Sequence, residues 1–132
     1  MKHYLLDINT VSALIKAHPT VARRVTAAPM SALCISVITE GELLFGLAKR
    51  PAAKRLHLAV RELLRCVDVL PWNRDAAARY GTVRAAMERA GKNLSPLDML
   101  IAAHALQMEA TLVTNDRVFR HVAGLHIEDW TV

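Results

Sequence analysis

His3-Tyr4-Leu5-Leu6-Asp7-Ile8-Asn9-Thr10 sets the reading of the rest of the chain. Tyr4, Leu5 and Leu6 form a short continuous apolar run that stops at a carboxylate, with an amide and a hydroxyl soon after. A run of this length bounded by polar turn residues reads as a strand buried on both faces. In open α/β sheets, ligands gather outside the carboxyl ends of such strands. Asp7 stands at that end. An aspartate closing a buried strand has no routine packing role, so it matters which other acidic side chains reach the same edge.

Outward from this strand, apolar runs and helical patterns alternate. Asn9-Thr10 can cap a helix from about Val11 to Lys16, and Pro19 restarts one toward Ala27. Leu33 to Val37 reads as a second buried strand. Thr39-Glu40-Gly41-Glu42 opens a helix through Ala48, and Pro51 starts another whose Leu56, Val60, Leu63 and Leu64 share one face. Val67, Val69 and Leu70 mark a third strand closed by Pro71. Asn73 caps a helix from Arg74 to about Ala90, which Gly91 ends. Ser95-Pro96 begins an apolar helix through Met108. Leu112-Val113 forms a fourth strand, and Leu125 to Trp130 holds a terminal edge strand. Strands separated by helices predict an α/β fold with a parallel sheet covered on both faces. The chain, residues 1–132, reads as one domain without repeat or linker.

The composition is apolar-rich (53%) with few aromatics (5%), which suits a packed globular core rather than disorder. A net charge of +5 suits a polyanionic partner but does not select one. Lys49-Arg50, Lys54-Arg55, Arg61 and Arg65 concentrate in one helical hairpin region, readable as a solvated face or as an RNA or partner contact. Cys34 and Cys66 lack metal spacing and sit in apolar surroundings, so both are expected as buried reduced thiols. Asp7 interrupts the first apolar run, so no signal peptide is expected. No run reaches membrane-spanning length. The expected location is the cytoplasm, with no membrane contact.

Besides Asp7, three acidic residues stand at a helix start or a strand end: Glu42, Asp98 and Asp116. Each has a structural reading. Glu42 follows Thr39 by three and Asp98 follows Ser95 by three, so both match a capping box. Asp116 suits a turn after a strand. The joint pattern favours a site, because strand ends and helix starts of a parallel sheet share one edge. Carboxylates about 4–6 Å apart repel by up to about 4 kcal/mol per pair at an effective dielectric near 20. A cation relieves that repulsion. An all-oxygen donor set selects a hard divalent ion, Mg²⁺ or Mn²⁺, whose chemistry is water activation and displacement at phosphorus. His104 lies six residues beyond Asp98, about 240° around the helix, and is expected to face away and to be packed or at an interface. His121 and His126 show no metal spacing, and Trp72 and Trp130 read as core or rim. No GxGxxG or GxxxxGK is present, which removes support for nucleotide-binding readings.

These stretches resemble a known family. Tyr4-Leu5-Leu6-Asp7-Ile8-Asn9-Thr10 resembles the opening motif of PIN domains. The second motif looks like Ile35 to Gly46, with Glu42 at its acidic position, and the third like Ser95 to Leu106, with Asp98. The fourth looks like Leu112-Val113-Thr114-Asn115-Asp116, and Gly124-Leu125 with Glu128-Asp129-Trp130 is similar to the family's ending. The resemblance spans the chain and is strongest to VapC-type toxins of bacterial toxin–antitoxin pairs. It implies a three-layer α/β/α domain with a central parallel sheet of four to five strands. It implies a Mg²⁺-dependent endoribonuclease, with Mn²⁺ as a substitute, that cuts structured RNA such as tRNA. It also implies a homodimer silenced by a VapB-type antitoxin. The expected ligands are Asp7 and Asp98, then Glu42, with Asp116 acting directly or through water. Asn9, Thr114 and Asn115 are expected to orient ligands or waters. Ile8 departs from the family's usual Thr and removes a hydroxyl beside Asp7. Two rivals are a haloacid-dehalogenase-like phosphatase and a catalytically inactive RNA- or partner-binding module. The first expects a carboxylate where Asn9 stands, and the second leaves the four filled acidic positions unexplained.

Overall fold

Leu5 and Leu6 point to opposite faces of the strand they share, and each belongs to a different core. A computed structural model describes residues 2–132. Five strands form one parallel sheet: β1 (Tyr4–Leu6), β2 (Leu33–Ser36), β3 (Asp68–Leu70), β4 (Thr111–Val113) and β5 (Ile127–Glu128), in the order β3-β2-β1-β4-β5. Leu5 lies in register with Cys34 and Leu112, and Leu6 with Val113. Six α-helices are present among the described residues: α1 (Ile8–Ile15), α2 (Pro19–Ala27), α3 (Val37–Ala48), α4 (Lys54–Cys66), α5 (Arg74–Arg89) and α6 (Pro96–Gln107).

Leu6, Leu33, Ile35 and Val113 pack one face of the sheet against α1 to α4, through Val11, Val21, Leu43 and Val60. Leu5, Cys34 and Leu112 pack the other face against α5 and α6, through Val83, Met87, Met99 and Ala102. The period of two along each strand separates the faces. Each of these fully buried Leu, Ile and Val side chains is worth about 1.5–3 kcal/mol of burial. The result is the expected three-layer α/β/α architecture with a five-stranded sheet. Strand order turns back at β1, whose two neighbours β2 and β4 are reached through opposite helical layers. The edge outside β1 and β4 is therefore the topological switch point, where open sheets place ligands.

Several local expectations are corrected. The first helix starts at Ile8, with Asp7 rather than Asn9 or Thr10 as its N-cap. β2 ends at Ser36, which caps α3, so Val37 and Ile38 are helical although β-branched. Tertiary packing here outweighs a β propensity of under about 1 kcal/mol. α4 starts at Lys54, three residues beyond Pro51. Gly91 ends the α5 region as expected, with φ +68°. Cys34 is buried, and burial followed by the nearby Asp68 charge pushes its thiol up to about 11, so it is inert. Cys66, expected to be buried, is exposed at the end of α4.

Candidate active site

Asp7 follows β1 directly and is only 5% exposed. Its backbone N–H donates to the Val113 carbonyl at 3.1 Å, which fixes it against the end of β4. Its Oδ1 accepts the Thr10 N–H at 2.9 Å, the N-cap bond of α1. The Thr10 hydroxyl donates to the Val113 carbonyl at 2.9 Å, so α1 is tied to β4 as well as β1. The capping role that sequence reasoning denied to Asp7 therefore exists. It uses one oxygen and leaves the carboxylate at the switch point.

Asp98 reaches the same edge from the other layer. α6 leads into β4, so the start of α6 lies at the carboxyl end of the sheet. Ser95 caps α6, its hydroxyl oxygen accepting the Asp98 N–H at 3.2 Å, with Pro96 at the first helical position. This half of the expected capping box is present. Glu42 differs. Since Ser36 is the N-cap of α3, Glu42 sits in the second turn and its capping box with Thr39 does not exist. Thr39 is itself buried, its hydroxyl without a hydrogen-bond partner. Glu42 is half-buried, and its side chain must have another role.

Three of the four carboxylates act on one another. Burial raises the Asp7 carboxyl above its ordinary range; hydrogen bonding from Thr114 and Thr10 acts the other way, and the Asp98 charge raises it further. Burial also raises Glu42, followed by the charges of Asp98 and Asp7. None of the three is ion-paired with a Lys or Arg among the described residues. They stand within electrostatic reach rather than in contact. Among the described residues no three His, Cys, Asp or Glu side chains close on one point as a ready ligand cage. Their charges repel, and a hard divalent cation is the charge that would offset that repulsion. The donor set thus fits such an ion.

Asp116 is not among the charges acting on Asp7 or Glu42. Its Oδ1 accepts the Val118 N–H at 3.1 Å and caps the short 3-10 turn Arg117–His121. Its N–H donates to the Thr114 hydroxyl oxygen at 3.0 Å. Thr114 is buried beside Asp7, and Asn9 bridges to Asn115 at 3.4 Å across the crevice. The three residues expected to orient ligands or waters thus line the gap between α1 and the segment after β4.

Sequence reasoning missed the link between the two helical layers. His104, expected to face away from the site and to be packed or at an interface, is fully buried and its Nδ1 lies 2.8 Å from the Ser36 hydroxyl. That hydroxyl oxygen also accepts the Ile38 N–H at 3.1 Å. Nε2 is buried without a complete hydrogen bond, and the Pro71 carbonyl is the backbone acceptor acting on the ring. One imidazole on the Asp98 helix thereby holds the cap of the Glu42 helix. The available signal was Ser36 at a strand end followed by a helical pattern.

A doubly wound parallel sheet with mutually repelling carboxylates at its switch point defines a class: an α/β/α domain with an acidic centre suited to a divalent cation and an anionic substrate. A family model described as PIN domain matches residues 4–125. The tRNA(fMet)-specific endonuclease VapC of Salmonella typhimurium is 36% identical over 131 residues, covering 98% of this chain and 99% of the relative. The protein of the same name from Shigella flexneri is 33% identical over 132 residues, covering 99% of this chain and all (100%) of the relative. The crystal structure of DNA-bound VapBC from Salmonella typhimurium aligns with a TM-score of 0.91 at 36% identity, covering 98% of this chain and 99% of that one. VapBC2 of Rickettsia felis, bound to a promoter DNA fragment, aligns at 0.87 with 26% identity, covering 96% and 98%. The chain belongs to the PIN-domain family and lies in its VapC branch.

Proposed function

We propose that this chain is a divalent-metal-dependent endoribonuclease toxin that hydrolyses phosphodiester bonds in RNA. Asp7, Glu42 and Asp98 hold Mg²⁺, or Mn²⁺ in its place. The observation that carries the reading is the mutual electrostatic action of these three carboxylates at the switch point, without a cationic partner. Membership of a family of nucleases supplies the reaction class. When bound, the ion supplies Lewis acidity at phosphate and lowers the pKa of attacking water. The chain's own contribution is orientation. Thr10 and Thr114 hold Asp7, Asn9 and Asn115 border the crevice, and the His104–Ser36 pair sets α6 against α3. Asp116 has a lesser role in this reading, as a cap that shapes the far wall. A tRNA is the substrate class suggested by the names of the relatives, and a VapB-type antitoxin is the partner suggested by the VapBC structures. A homodimer and a cytoplasmic location belong to the same proposal. Val37 and Leu44, two turns apart on α3, leave apolar surface exposed on the side away from Glu42, where a second copy can dock.

The test is cleavage of total tRNA with Mg²⁺, with Mn²⁺ and with EDTA, for wild type, Asp98→Asn and Asp116→Asn. Cleavage should require the ion. It should fall by orders of magnitude in Asp98→Asn and by about tenfold or less in Asp116→Asn. Cleavage that persists in EDTA, or an Asp98→Asn variant near wild-type rate, refutes the assignment.

A further inference from the structure

Residues 43–61 carry five Lys or Arg and no Asp or Glu. They cover the rest of α3 after Glu42, the turn, and the first half of α4. None of the five forms an ion pair among the described residues, whereas Lys2, Arg24, Arg65 and Arg84 elsewhere do. The α3–α4 corner therefore holds a concentrated positive charge that the protein does not neutralise itself.

Two features give this charge a shape. The first is a groove of about 330 Å³ between α1, α3 and α4, with an apolar floor that includes Ile15 and Leu47. Glu42 forms part of its wall, and Lys16, Lys49 and Arg50 line it as well. The second is Phe45, which is 63% exposed with the Lys49 ammonium 4.6 Å from its ring centroid. Phe45 lies three residues after Glu42 and Lys49 seven, so both fall within about 60° of Glu42 around the helix. An aromatic ring and the lysine against it thus share one helical face with a candidate ligand, beside a groove that the same lysine lines with Lys16 and Arg50.

We propose that this groove, with the Phe45–Lys49 pair beside it, is a subsite for a single-stranded stretch of RNA adjoining the cleaved phosphate. Phe45 stacks one unpaired base, and Lys16, Lys49 and Arg50 take the phosphates on either side of it. The inference rests on reading Asp7, Glu42 and Asp98 as the cleavage centre. Exposed aromatics flanked by cations are how proteins hold single strands, because every base offers a π-face and every linkage a charge. A paired base inside a helix presents no face to such a ring, so the subsite selects loops. The favoured occupant is RNA rather than an apolar protein segment, because Lys16, Lys49 and Arg50 have no ion-pair partner among the described residues and a neutral segment would leave their charge unmatched.

The test measures binding apart from cleavage. Asp98→Asn provides a background that does not consume the probe, a short fluorescein-labelled single-stranded RNA of mixed sequence followed by anisotropy across a salt series. On that background Phe45→Leu should weaken binding about tenfold and Phe45→Trp should restore it, because stacking rather than apolarity is what changes. Lys49→Gln with Arg50→Gln should lower the slope of log affinity against log salt by about 1.4, at about 0.7 per lost phosphate contact. All three positions are exposed, so melting temperatures should stay near wild type. Unchanged affinity and slope, with wild type still cutting RNA, overturn the subsite and leave the cleavage reading standing. Unchanged RNA binding with lost grip on an apolar peptide overturns it in favour of a protein occupant. A wild type that cuts no RNA overturns the cleavage reading and the subsite together.

Discussion

Asp7 caps α1 and is also the proposed first metal ligand, and two substitutions separate these roles. Asparagine is as good an N-cap as aspartate, so Asp7→Asn keeps an oxygen for the Thr10 N–H that now lies 2.9 Å from Oδ1. Asp7→Ala removes that acceptor and leaves a buried backbone donor unsatisfied, a loss of about 1 kcal/mol. The charge works in the opposite direction. Burial and the Asp98 charge raise the folded-state pKa of Asp7. An acid raised in this way stabilises the fold below its unfolded pKa and loses that contribution as pH rises through the folded value. At pH 7 the ionised carboxylate therefore costs the metal-free protein stability, and asparagine removes that cost.

In EDTA at pH 7, Asp7→Asn should melt at or above the wild-type temperature. Asp7→Ala should melt about 3–5 °C below Asp7→Asn, the shift expected for about 1 kcal/mol in a domain of this size. Adding millimolar Mn²⁺ should raise the melting temperature of wild type by mass action and leave both variants nearly unmoved. Both should lose RNA cleavage by orders of magnitude despite their different stabilities. Scanning calorimetry with and without Mn²⁺, paired with a cleavage assay, reads all four quantities. An Asp7→Asn protein that cuts RNA near the wild-type rate would show that Asp7 is a cap and nothing more.

Two further outcomes concern titratable groups outside the Asp7, Glu42 and Asp98 cluster. Burial lowers the His104 pKa, so its contribution to stability is present above its unfolded pKa near 6.5 and is lost as pH falls toward the folded value; His104→Gln should flatten that part of the curve in urea titrations at pH 7.5 and 5.5, and an unchanged slope would refute the assignment. Lys2, at 2.8 Å, followed by Trp130 lowers the Glu128 pKa, so this stability is present above about pH 4.5 and lost as pH falls through the folded value. With Lys2 56% exposed the pair is screened, and Glu128→Gln should cost under about 1 kcal/mol at pH 7 while reducing the acid-side loss.

The centre of the sheet was legible because its three inner strands are buried on both faces. Tyr4–Leu6, Leu33–Ile35 and Leu112–Val113 are apolar without alternation, and each runs into a polar residue at its carboxyl end: Asp7, Ser36 and Thr114. Helix starts were less legible wherever a strand runs directly into a helix. At Leu6-Asp7-Ile8 and Ile35-Ser36-Val37 a single residue ends one element and caps the next, and the flanking β-branched residues suit either element. Asn73, Ser95-Pro96 and Gly91 stand in polar stretches, and their boundaries were read within one residue.

The candidate site was legible as a set of positions but not as a geometry. Four acidic residues at junctions of a parallel sheet identify an edge, yet they do not rank themselves. The structure ranks them through burial and coupling: Asp7 and Glu42 feel Asp98, whereas Asp116 is not among the charges acting on them. The same facts weaken the opposition between capping and catalysis. A carboxylate has two oxygens, and the N-cap of α1 uses only one of those on Asp7. The cap fixes the rotamer of a side chain that must otherwise be held against repulsion from Asp98, so the structural bond supplies part of the site's preorganisation. Ser36 extends this logic without any charge. It caps the Glu42 helix and binds His104 on the Asp98 helix, so a buried neutral contact couples the two layers that deliver the carboxylates. Such a contact joins residues 68 positions apart, a separation that no local pattern in the sequence can signal.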